Sequence, residues 1–232
     1  MIPGGDKYVW LVWSLAFLVP WGVLYAAVPE RQREMLWSSS LTALLGLTEP
    51  LFVPEYWNPP SLFDLAQRTG FDIESLIYGF GIGGVGAVLY NALTAKQLLP
   101  MSSHERNRAR HRFHRLALAA PYLVFVALYF MPWNVIYPSI VALFAGGLAS
   151  VLCRPELARK TVIGGILFTG FYVLFLGMLE LMAPGYIARV WNLPALSGMM
   201  VGVFPLEEIL FGFGVGVYWT GVYEHSTWHR SD

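Results

Sequence analysis

The sequence predicts an all-α integral membrane protein, with seven transmembrane helices arranged as two parallel three-helix repeats joined by a linking helix. Three observations carry this prediction. With 56% of its 232 residues hydrophobic and only 13% charged, the chain is too apolar for a water-soluble domain of its length. Seven of its stretches approach the roughly 20 apolar residues that a helix needs to cross the hydrocarbon core of a bilayer. And two distant segments read alike: FDIESLIYGFGIGG at 71–84 and FPLEEILFGFGVGV at 204–217.

The seven stretches run from Tyr8 to Val28, Met35 to Val53, Phe71 to Leu93, Leu116 to Pro132, Trp133 to Cys153, Thr161 to Met182, and Phe204 to Tyr223. The first has no small-residue cleavage site of the kind a secretory signal carries, so it is read as a helix. The fourth and fifth meet at MPWN, residues 131–134, where one long segment is the alternative. Basic residues decide for two crossings. Seven crossings put Arg31, Arg33, Lys96, Arg106, Arg108, Arg110, Arg112, Arg115, Arg154, Arg159, Lys160 and Arg230 on one side and only Lys7, Arg68 and Arg189 on the other. Positively charged loops stay cytoplasmic, which predicts a multi-pass protein of the cytoplasmic (inner) membrane with its N-terminus outside and its C-terminus inside.

The repeat extends beyond the two quoted segments. Trp57 and Asn58 of YWNPP match Trp191 and Asn192 of VWNLP, and Glu74 matches Glu207. Gly79, Phe80, Gly81 and Gly83 match Gly212, Phe213, Gly214 and Gly216, and PERQR at 29–33 matches PELAR at 155–159. Repeat one is therefore 8–93 and repeat two 133–223. Three helices are an odd number, so the second copy keeps the orientation of the first only if one helix, 116–132, links them within a single transmembrane domain, 1–232.

GFGIGG formally matches a dinucleotide fingerprint, but that motif requires a strand before it and a crossover unit around it. Read as small-x-x-x-small spacing, Gly79 with Gly83 and Gly212 with Gly216 predict that the third and seventh helices pack closely on one another.

Five carboxylates are expected at one depth, near the outer membrane face: Glu49, Glu74, Glu180, Glu207 and Glu208. Acids suit the first turn of a helix, which accounts for one glutamate in each of the third and seventh helices. It accounts less well for acids at the matching ends of the second and sixth. Ionisable groups within a membrane are costly and tend to mark function.

VWNLPALSGMMVGVFPLEEILF, with its Pro-x-Glu-Glu opening the last helix, and the three-plus-one-plus-three layout resemble the membrane-integral lycopene cyclase domain family of bacteria, archaea and fungi. The resemblance implies a lycopene β-cyclase type of activity in carotenoid biosynthesis. It makes Glu207, Glu208 and Glu74 the catalytic candidates. In the first repeat Asp72, Glu74 and Ser75 stand where the family's acidic motif is expected, so one carboxylate is missing.

The implied reaction is non-redox and needs no cofactor. A carboxyl group protonates a terminal double bond of the polyene, the neighbouring double bond attacks the cation, and a different proton leaves. Two carboxylates in distinct surroundings can divide these roles. Trp57, Trp191, Phe80, Phe213 and Tyr78 offer π faces to a cation, or else anchor the interface. Asn58, Asn192, Glu49 and Glu180 complete the candidate substrate site.

Other classes are set aside. Zero formal charge gives no reason to expect nucleic acid, and the single cysteine, Cys153, excludes an intramolecular disulfide framework. His225 and His229 lie one helical turn apart, but five histidines in all do not make a di-iron cluster, and no metal is expected. Lys7, Lys96 and Lys160 fall in loops, leaving no intramembrane amine for a Schiff base. The expected partners are membrane lipid and a long-chain isoprenoid or carotenoid, with an oligomer possible. The competing reading is a noncatalytic lipid- or pigment-binding protein, or complex subunit, on the same fold.

Overall fold

A computed structural model describes residues 5–95 and 97–231; Lys96, counted above among the basic residues, lies outside them. The chain is all-α with, among the described residues, two short antiparallel strand pairings: Leu98–Pro100 with His229–Ser231, and the hairpin Met200–Val201 with Phe204–Pro205. Its long helices are α1 (Val9–Ala27), α2 (Gln32–Leu45), α3 (Ile73–Thr94), α4 (His114–Tyr129), α5 (Ile136–Cys153), α6 (Ala158–Met182) and α7 (Leu206–Thr227). The doubtful MPWN join is a genuine break, because residues 130–135 separate α4 from α5.

Among the described residues, four segments are long and apolar enough to cross a membrane: Gly5–Ala27, Ile73–Thr94, Ile136–Cys153 and Pro155–Met182, which contain α1, α3, α5 and α6. Seven were expected. The others fall short for visible reasons. α2 has 14 helical residues before passing into a 3-10 turn, Gly46–Leu51. Gly46 sits so close to α3 that a Cβ there would stand 2.9 Å from the Ser75 carbonyl oxygen, and Pro50 removes a helical donor. α4 has 16 residues, and α7, with 22, carries Glu207, Glu208 and Glu224.

Local sequence explains the helix starts. Asp72 caps α3, its Oδ1 accepting the Ser75 N–H at 2.5 Å. Pro205 stands in extended conformation just before α7, outside the first turn, and Glu207 and Glu208 occupy that turn. Both Pro-Glu-x-x-Arg segments open as 3-10 turns, Pro29–Arg31 and Pro155–Leu157.

α3 is flanked by α1 and α2, α7 by α5 and α6, and α3 and α7 also meet each other; α4 lies on α5. The predicted glycine seam is displaced from where the sequence put it. A Cβ on Gly83 would come 2.8 Å from the Ser38 carbonyl oxygen on α2, and one on Gly216 would come 2.7 Å from the Gly164 carbonyl oxygen on α6. Gly79 likewise faces Thr42 of α2, and Gly212 faces Tyr172 of α6. These glycines therefore bring α3 onto α2 and α7 onto α6. The α3–α7 contact lies further along, where Thr220 Oγ1 donates to the Gly86 carbonyl at 3.1 Å. Small residues permit close approach but do not say to which neighbour.

Candidate acid–indole site

Two loops meet over one end of the bundle. Trp57 and Trp191 form an antiparallel β-bridge, with Asn58 N–H donating to the Val190 carbonyl and Asn192 N–H to the Tyr56 carbonyl, both at 2.9 Å. The two segments matched by sequence thus clasp one another reciprocally. Their indoles lie 5.2 Å apart, and Trp10 of α1 adds an edge-on contact to Trp57 at 4.6 Å. Tyr78 and Phe17 extend the aromatic wall beneath.

Glu208 sits under this clasp, 3% exposed. Trp191 Nε1 donates to its Oε1 at 2.8 Å, the Tyr56 hydroxyl donates to the same oxygen, and the Tyr172 hydroxyl donates to Oε2 at 2.5 Å. A buried carboxylate is tolerable when its lone pairs are filled in this way. Burial, and then the Glu208 charge beside it, push the Tyr56 hydroxyl well above its usual range, which keeps it a donor. Tyr56 and Tyr172 were not singled out by the sequence. A tyrosine next to the Trp-Asn pair was a usable signal, whereas Tyr172, inside an apolar helix, had none.

The first repeat-like segment has a counterpart. Trp57 Nε1 donates to Glu49 Oε1 at 2.6 Å, and Ser75 lies beside Glu49. Ser75 is the position matching Glu208. The carboxylate absent from α3 is therefore supplied in space by Glu49, from the turn after α2. Each indole of the Trp57–Trp191 pair carries one buried glutamate.

The remaining candidates divide differently. Glu207, next to Glu208, faces another way: its Oε1 accepts from the Tyr137 hydroxyl at 2.8 Å and from the Ser197 N–H at 2.9 Å. Glu74 Oε1 accepts the Leu62 N–H at 2.7 Å. Both glutamates thus tie down the loop preceding their own helix, and each is buried with a second oxygen that has no hydrogen-bond partner among the described residues. Glu180 accepts the N–H groups of Gly185 and Ile187, closing the turn after α6. Phe80 packs on Trp21 of α1, and Phe213 on Phe144 of α5. The Asn192 side chain donates to the Glu55 carbonyl at 3.0 Å, and exposed Asn58 faces Gln67. The structure brings together Glu208, Glu49, Trp57 and Trp191; it does not bring Glu74, Glu180, Phe80 or Phe213 to them.

Glu208 is enclosed by its own hydrogen-bond partners. Tyr56, Tyr172 and Trp191 are packed directly onto it. A cavity of about 420 Å³ instead lies at the opposite end, lined by Arg154, Lys160, Arg230, Glu224 and neighbours. There Arg31 pairs with Glu34 at 2.9 Å, Asn91 donates to Glu34 at 3.2 Å, and Lys160 pairs with Glu224. These buried charges are mutually satisfied, and they join α2, α3, α6 and α7 at their ends.

No curated protein and no solved structure matches the chain. The family model described as Lycopene cyclase matches residues 134–226, the stretch that holds α5, α6, Trp191, Glu207, Glu208 and all but the last residue of α7. A match of that kind, with apolar helices around it, points to a membrane protein with a carotenoid-cyclase type of function. Over residues 134–226, fewer than half of its residues, the chain is similar to the lycopene cyclase family.

Proposed function

We propose that the protein is an intramembrane isoprenoid cyclase of the lycopene β-cyclase type, acting by carboxylate acid–base chemistry without a redox change. The observation that carries this reading is the pair of buried glutamates, Glu208 and Glu49, each hydrogen-bonded to one of two adjoining indoles. One carboxyl group gives a proton to the terminal double bond of a polyene end group. The neighbouring double bond then forms the new ring carbon–carbon bond, and the cation loses a proton to the other carboxylate. Substrate and product are isomers, so one proton enters and one leaves each turnover. The Trp57, Trp191 and Tyr78 faces stabilise the cation between these steps. Glu208, which receives every donor around it, is assigned the base; Glu49 is assigned the acid. Glu207 and Glu74 hold the loops that cover them.

The architecture proposed with it is two parallel repeats, 8–93 and 133–223, joined by helix 116–132. All seven helices lie in the cytoplasmic membrane, with the Trp57–Trp191 clasp outside. The reciprocal clasp and the like placement of Gly83 and Gly216 support this arrangement. An end group reaches Glu208 by displacing Tyr56, Tyr172 or Trp191. Beside that lid, the hairpin of β-strands Met200–Val201 and Phe204–Pro205 exposes Met199, Met200, Val201 and Val203, a surface suited to lipid and polyene.

The close packing on Glu208 also favours a second reading, a pigment-binding protein that performs no chemistry. Expression in a lycopene-accumulating host separates the two. A cyclase converts lycopene to ringed carotenoids, and a binding protein leaves lycopene unchanged while copurifying with it.

A further inference from the structure

Three side chains with metal-binding atoms converge at the arginine-rich end, remote from the acid–indole pairs. They are His114 at the start of α4, Cys153 at the end of α5, and His225 near the end of α7. One ligand-capable atom from each lies within 4.8 Å of the other two, and all three residues are buried. The sequence paired His225 with His229 instead, but His229 turns to Thr227 at 2.9 Å. Cys153, distant in sequence from both histidines, belongs to the group.

The surroundings are arranged as a metal's outer shell is arranged. His225 is 0% exposed, its Nδ1 lies 3.1 Å from Ser150 Oγ, and its Nε2 has no hydrogen-bond partner among the described residues. With Nδ1 donating to Ser150, Nε2 presents a bare lone pair in a buried site. An unfilled buried polar atom is destabilising, and a bound cation removes that cost. His114 Nδ1 is 3.9 Å from Cys153 Sγ. An ion about 2.0–2.1 Å from nitrogen and about 2.3 Å from sulfur in tetrahedral geometry sets the two ligands about 3.6 Å apart, so this pair needs a shift of a few tenths of an ångström and the whole group, spread over up to 4.8 Å, a contraction of about 1 Å. The His114 ring is held flat against Trp228, with centroids 4.0 Å apart, and its neighbour His225 stands edge-on to it at 4.6 Å.

His111 completes the second shell. Arg110 Nε donates to His111 Nε2 at 3.3 Å, which leaves the ring proton on Nδ1, 3.4 Å from Cys153 Sγ. A donor aimed at the sulfur stabilises a thiolate and orients it, as outer-shell partners of metal ligands do.

We propose that His114, Cys153 and His225 bind one divalent transition-metal ion of the zinc class, with water as the fourth ligand. Two imidazoles and a thiolate suit zinc or cobalt and do not suit magnesium or calcium. Binding releases the thiol proton to solvent as the sulfur–metal bond forms. The ion staples the start of α4, the helix between the two similar halves, to the ends of α5 and α7.

The test uses the full chain purified in detergent with a tag free of histidine. After incubation with zinc and removal of the excess, elemental analysis is expected to find about one zinc per chain. Cys153→Ser and His225→Ala are expected to lose it and His229→Ala to keep it. Cobalt in place of zinc is expected to give a thiolate-to-cobalt charge-transfer band in the parent and none in Cys153→Ser. Chelation is expected to lower the melting temperature of the parent only. A parent that holds no more zinc than Cys153→Ser overturns the proposal. Should that variant fail to fold, a parent lacking the cobalt–thiolate band overturns it equally.

Discussion

Glu208→Gln separates chemistry from packing. The side chain keeps its size, but one oxygen becomes an NH₂ group and the titratable proton is lost. With the amide oxygen in the place of Oε1, Trp191 and Tyr56 keep an acceptor, and the Tyr172 hydroxyl must turn to accept from the new donor. A hydrogen bond to a charged group is worth about 1.5–3 kcal/mol against about 0.5–1.5 for a neutral one, so three bonds lose about 1 kcal/mol each. Part of that returns because the neutral amide buries no charge. The stability loss is therefore less than about 3 kcal/mol. Loss of the proton acceptor is a larger effect, a fall of about 10²–10⁴ in rate, or about 3–5 kcal/mol in the barrier. Carotenoids extracted from a lycopene-accumulating host give the product ratio, and membrane yield with detergent-phase melting gives the stability. A folded Glu208→Gln protein that forms rings as fast as the parent refutes the assignment of Glu208 as base.

Glu49→Gln is expected to lower product formation about as much as Glu208→Gln. Glu74→Gln is expected to act mainly on stability, by about 1 kcal/mol, because the Leu62 N–H then meets a neutral acceptor; equal activity losses in all three variants would contradict the division of roles. Gly83→Ala and Gly216→Ala each place a Cβ under 3 Å from a backbone carbonyl of the adjoining helix, and are expected to cost about 1–3 kcal/mol in thermal unfolding; unchanged melting would show that the helices are not seated there. A cysteine at exposed Asn58 is expected to react with an impermeant thiol reagent on intact cells, and one at exposed Arg108 is expected not to; the reverse pattern inverts the proposed orientation.

The sequence alone determined the all-helical, membrane-type character. That property follows from local apolar runs, none of which depends on distant residues. It also drew attention to Trp57, Trp191 and Glu208, since a matched pattern is visible without knowing how it folds. Only the tertiary structure decided which groups meet. Glu49 stands in for the carboxylate missing at Ser75 because the 3-10 turn after α2 carries it to Trp57. Glu207 and Glu208, adjacent in sequence, part because successive helix positions point about 100° apart, one toward Tyr137 and the other toward Tyr172. The glycine seams joined α3 to α2 and α7 to α6, and Cys153 came to lie between His114 and His225, because a spacing fixes which face of a helix is small or polar while packing alone selects the neighbour that face receives.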